Sequence, residues 1–224
     1  MIWFLIATIL AIVLSGCAIF QNITGPHEGQ YIYTRKTTYL GAAVRVVPIW
    51  IDKNFGESDK IAMDDAIDAW NYALNGFMVL QVVDTQFDME IPKLVERVKS
   101  NGWLFMKIDS NNPMIPTNDK GYWTIGFVER LGGNHLYLVR DRLENESIFG
   151  VTLHEIGHLL GASHRGDRLM HPHFGHARFR CIDMRTIERV ADYNHLPMDR
   201  LNYCLDTDGH VVSDGDIDPI ICPN

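Results

Sequence analysis

Apolar and polar positions change period several times along this chain, and the changes mark its elements. Residues 44–52 read Val-Arg-Val-Val-Pro-Ile-Trp-Ile-Asp, a β-branched and aromatic run that predicts a strand. Pro48, lacking an amide hydrogen for a ladder, calls for an edge position or a bulge in it. Ile61, Ala62, Ala66, Ala69, Trp70 and Ala73 then recur at helical spacing, which predicts a helix over 60–75, capped by Ser58 or Asp59 and ended by Gly76. A strand over 77–83, a shorter helical pattern over 91–100 and a strand over 103–108 follow. After an Asn- and Pro-rich loop, residues 122–128 and 135–140 read as two strands about Gly132-Gly133-Asn134, a hairpin signal. Helical spacing returns from Glu146 or Ser147 up to Gly161 and again over 184–193, where Ile187, Val190 and Ala191 share a face.

The ends of the chain have different patterns. Residues 1–16 are an unbroken apolar run ending in Leu14-Ser15-Gly16-Cys17, an export signal in form, though a span reaching Phe20 would also suit its length. Residues 17–41 lack periodicity and read as a tether. Residues 196–224 read as an acidic tail, with Asp206, Asp208, Asp214, Asp216 and Asp218. Calcium would suit such carboxylates, but EF-hand spacing fails, because Cys204 and Gly215 stand where ligands are needed. A solvated tail is the expectation.

The chain's 224 residues give room for one ordinary domain, here 42–195, with 46% apolar and 21% charged residues. A net charge of −8 and no basic stripe exclude nucleic acid as a partner. Export makes disulfides possible, and beyond Cys17 there are Cys181, Cys204 and Cys222. One pair plus a free thiol is the simplest count. Cys204–Cys222 would staple the tail, Cys181–Cys204 would tie it to the body, and three reduced, buried thiols are the third arrangement.

The chemistry gathers in residues 151–172, VTLHEIGHLLGASHRGDRLMHP. On a helix His154 and His158 project from one face, so two imidazoles can reach one ion, and Glu155 stands beside them where it can act on a water as general base. Glycine at 161 permits the turn that brings His164 round as a third nitrogen. Three protein ligands leave a fourth place open, as catalytic zinc requires. An HExxH alone could equally be an amphipathic core helix. His135 reads as a strand residue, and His171, His173 and His176 as structural or exposed histidines.

HEIGHLLGASH fills every fixed position of H-E-x-x-H-x-x-G-x-x-H, and Met170 follows in Leu-Met-His-Pro; here the chain resembles the metzincin zinc metallopeptidases, the matrixin-like members above all. The resemblance implies a zincin-like α/β sandwich: a twisted mixed sheet with two long helices, one carrying HExxH, and a small irregular C-terminal subdomain with a Met-turn and one helix. It implies one catalytic Zn2+ on His154, His158 and His164, Glu155 as general base, Met170 as an apolar floor, and extended protein or peptide substrates lying along an edge strand near 135–140. No ligand set for a matrixin-type structural Ca2+ can be matched, and Pro172 stands where some metzincins have an assisting tyrosine. The Leu-Ser-Gly-Cys ending resembles a bacterial lipobox, which implies lipidation of Cys17 and an exported, membrane-anchored lipoprotein of the cell envelope, expected to be a monomer. The competing expectation is a zinc-stabilised envelope protein that binds a partner and cleaves nothing.

Overall fold

The computed structural model describes residues 31–41, 44–99, 102–116, 123–143, 147–164, 168–172 and 181–206. The export signal, Cys17, His173, His176, Cys222 and the tail beyond 206 lie outside the described residues.

A five-stranded mixed sheet carries the domain. Strands β2 (Arg45–Asp52), β3 (Met78–Phe87), β4 (Trp103–Ile108), β5 (Gly126–Val128) and β6 (His135–Val139) stand in the order β3-β2-β4-β6-β5. All neighbours run parallel except β5, which pairs antiparallel with β6 as the predicted hairpin. Helix α1 (Glu57–Leu74) makes the β2-to-β3 crossover that parallel pairing needs, and α2 (Pro92–Lys99) leads from β3 to β4.

Alternation along the strands sorts the side chains to two faces. Ile49, Ile51, Phe105, Leu136 and Leu138 join the main core with Met63, Ile67 and Trp70 of α1 and Ile148, Leu153 and Ile156 of α3 (Ser147–Leu159). On the opposite face Leu104 meets Phe87 and Val98, under α2. Helix α4 (Met184–Asn194) follows, its N-terminus capped by Asp183, which accepts from the Thr186 amide at 3.0 Å. This is the expected mixed α/β sheet with two long helices, one bearing the histidines, and a C-terminal helix.

Three local expectations change, and the one for Pro48 is met in a local form. Helix α1 begins a turn early, at Glu57, with Gly56 as N-cap. Asp59 is unavailable as a cap because its buried carboxylate takes Arg140 Nε at 2.8 Å. At the other end Asn75 is already left-handed, φ 49°, ahead of Gly76, and its side chain donates to the carbonyls of Thr37 and Arg200. Pro48 lies in a strand with neighbours on both sides, yet pairing with β4 starts only at Ile49, so the proline sits where the strand has one neighbour. Finally, the sheet's edge beside the histidine helix is β5; residues 135–139 are internal and buried throughout. The polar members of β6 are satisfied from within: Glu129 pairs with His135 at 3.1 Å and accepts from the Tyr137 hydroxyl at 2.7 Å.

The inner parts of the expected tether and tail lie against the domain. Strand β1 (Tyr31–Tyr33) pairs antiparallel with β7 (Cys204–Asp206), while Leu201 and Asn202 are buried. Asn202 donates its backbone amide to Ala73 O and its side-chain amide to Tyr72 O, both at 2.9 Å. Of the pairings left open, Cys181–Cys204 is the one formed, with Cα atoms 5.9 Å apart. It ties β7 to the residues just before α4. Cys181→Ser with Cys204→Ser is expected to cost about 3 kcal/mol, the loop-entropy value for a bridge of this span, read as a lower denaturant midpoint. An unchanged midpoint would mean that the β1–β7 ribbon is held without the bridge.

Candidate metal centre

Helix α3 ends in a Schellman turn: Ala162 N donates to Gly157 O at 2.8 Å and Gly161 N to His158 O at 3.0 Å, with Gly161 at φ 95°. The turn does two things. It swings the chain so that His164 comes back toward the helix, and it aims the Ala162 carbonyl at His158, whose Nδ1 donates to it at 2.7 Å. His154 is fixed likewise, its Nδ1 donating to the Leu169 carbonyl. With both Nδ1 atoms so occupied, the Nε2 atoms carry the free lone pairs, a tautomer assigned from the network.

Those lone pairs converge. His164 Nε2 lies 3.3 Å from His154 Nε2 and 3.0 Å from His158 Nε2, and the three ligand atoms fall within 4.8 Å of one another. Two nitrogens on one tetrahedral ion at ordinary bond lengths stand roughly 3.3 Å apart. The donors therefore fit a single small cation, and three neutral imidazoles are the borderline nitrogen set that zinc-like ions take. Burial, with the nearby His158, lowers His154 to a pKa of about 3; burial, with His164, lowers His158 to about 4. Both rings are thus uncharged at neutral pH. His154 and His158 are buried and His164 is exposed, so the cluster opens to solvent on the His164 side.

Met170 is buried against Gly157, which precedes His158 on the helix: a Cβ there would come within 2.6 Å of the Met170 sulfur. Glu155 is 5% exposed, its Oε2 has no hydrogen-bond partner among the described residues, and burial pushes its carboxyl up to about 8. Its other oxygen lies against β5, where a Cβ on Gly126 would stand 3.1 Å from Oε1 and 2.6 Å from Val151 Cγ1. The edge strand and the carboxylate are in contact only because residue 126 has no side chain. His171 is half-buried, its amide donating to Arg168 O at 2.8 Å in the turn that carries Met170.

The structure brings His154, His158 and His164 together as one cluster, while Met170 packs against Gly157 of the same helix and Glu155, next to His154 in the chain, lies against Gly126. The carbonyls of Ala162 and Leu169, and Gly126, belong to the site as well. The spacing within HEIGHLLGASH hides the carbonyls, since they are backbone; Gly126, an isolated glycine inside a strand pattern, was a readable sign of close approach.

No family model matches the chain, and no curated protein is similar to it. Among solved structures, the chain is similar to metalloproteinase-II of Bacteroides fragilis, at 16% identity and a TM-score of 0.45, over 75% of this chain and 59% of that one. It thus spans less than two thirds of that neighbour's length.

Proposed function

We propose that this protein is a zinc-dependent metalloendopeptidase that cleaves extended protein segments, with His154, His158 and His164 holding the metal and Glu155 as general base. The supporting observation is the convergence of three Nε2 lone pairs, two of them fixed by backbone carbonyls, with a buried carboxylate on the next residue after His154, one oxygen of which has no partner among the described residues. A zinc ion there would supply Lewis acidity, bringing the pKa of water toward neutrality, polarising a carbonyl, and drawing Glu155 down from about 8.

The rest is the work of the chain. Among the described residues strand β5 has a strand neighbour on one side only, so its outer edge can pair with an extended peptide and lay a scissile bond beside Glu155. Glu155 takes a proton from the attacking water and delivers it to the leaving amine, so no covalent bond to the protein forms. Met170 keeps the ground beneath the imidazoles apolar and the ligand geometry firm. Export as a lipoprotein anchored through Cys17 belongs to the same proposal, on the strength of the apolar run and Leu-Ser-Gly-Cys.

The test is metal content and cleavage together. The purified chain is expected to carry about one zinc per molecule, to cut an unfolded protein at internal bonds identified by mass spectrometry, and to stop when the metal is chelated. Zinc at that ratio with no cleavage of any unfolded protein would replace the peptidase reading with that of a zinc-stabilised binding protein.

A further inference from the structure

Side chains at three positions of α4 converge on the turn that delivers His164. Arg189 Nη1 donates to the Ser163 carbonyl at 3.1 Å, and Asn194 Nδ2 donates to the Leu160 carbonyl at 2.8 Å. Between them the Tyr193 ring lies across Gly161, so closely that a Cβ on that glycine would overlap it. The same ring reaches the β5–β6 hairpin, where a Cβ on Gly132 would overlap the hydroxyl end. Gly132, at φ 65°, donates its amide to the His158 carbonyl at 2.9 Å, the oxygen that also accepts Gly161 N.

Tyr193 therefore covers both donors to one carbonyl of a histidine in the metal cluster. One donor belongs to the turn that aims His164, the other to the hairpin whose strand lies against Glu155. Yet the residue is 51% exposed, and its neighbours on α4, Val190 and Ala191, do the core packing. Its close contacts are spent on two glycines that no other residue type could replace without collision.

We propose that Tyr193 is a positioning residue of the metal centre, a cover plate that holds the His164 turn and the β5–β6 hairpin in register on the His158 carbonyl. The inference deepens the proposed function and rests on its metal-centre half alone. When the plate is removed, the turn and the hairpin gain independent freedom, so the third ligand and the substrate edge loosen together while the core is untouched.

The experiment uses the full chain, stripped of metal and titrated with Zn2+ against a competing chromophoric chelator, with hydrogen exchange followed at the Gly132 and Gly161 amides. Tyr193→Ala is expected to weaken Zn2+ binding by about tenfold, the range for residues that orient ligands without touching the metal, and to speed exchange at both amides. The melting temperature of the metal-free variant should stay close to the parent's. Tyr193→Phe keeps the ring over Gly161 and should restore the parent's affinity. Tyr193→Leu, which has apolar bulk but no planar face, carries the same expectation as alanine should the alanine chain not fold. Unchanged affinity and exchange in the alanine or leucine variant, or an equal loss in the phenylalanine variant, overturns the proposal. A parent protein that binds Zn2+ but cleaves nothing would end the peptidase reading and leave this one to be decided by affinity and exchange.

Discussion

Glu155→Gln is expected to lower kcat/KM for peptide cleavage by about 10²–10⁴-fold, the usual worth of a positioned general base, with zinc content unchanged. Glutamine keeps the shape and can still pack against Gly126, so β5 need not move; what it cannot do is accept a proton from water. The separation of the two readouts follows from the geometry. The metal is assigned to three imidazoles, two of them oriented by the Leu169 and Ala162 carbonyls, and Glu155 has no part in those hydrogen bonds. Loss of zinc along with activity would instead place Glu155 among the groups that build the site. Activity near the parent's would remove the carboxylate from the mechanism.

How much of this site could be read in advance depended on the range of the interactions. HEIGHLLGASH is local: helical periodicity puts His154 and His158 on one face, and a glycine that must turn left-handed brings back a third ring ten residues from the first, as the Nε2 distances show. Gly56 and Asn75 cap α1 locally too, yet distant partners decide both ends: Asp59, the better N-capping residue, is engaged by Arg140, 81 positions away, and Asn75 donates to the carbonyls of Thr37 and Arg200. The edge strand near 135–140 was an implication of the resemblance, with no pattern in those residues behind it; in the fold β5 takes the edge, and β6 is buried with His135 and Tyr137 both meeting Glu129. The ribbon of β1 and β7 left no periodic trace at all. Three residues per strand are too few, and the segments are held by what they meet: Asn75 and Asn202 reaching across the termini, and a disulfide whose partner could not be chosen by spacing.

Trp70→Ala is expected to destabilise the fold by about 3–5 kcal/mol, the largest single loss available in this core. Trp70 is fully buried on α1 and donates its indole N–H to the Leu153 carbonyl at 2.9 Å, one residue before His154. Its ring edge also approaches Gly157, within 3.5 Å of where a Cβ there would stand, so it abuts the part of α3 that carries both buried histidines and the Met170 contact. Alanine would remove the indole and leave a cavity under the metal helix. Phenylalanine would refill much of the volume but lose the hydrogen bond, so Trp70→Phe should fall short of the alanine loss by a clear margin, with roughly 1 kcal/mol of its cost coming from that bond. Denaturant unfolding of the metal-free chains separates these contributions from metal binding, since metal bound only to the folded state would otherwise raise every midpoint. Equal losses for alanine and phenylalanine would mean that the indole N–H, and not the packing between α1 and α3, fixes the height of the histidine helix above the sheet.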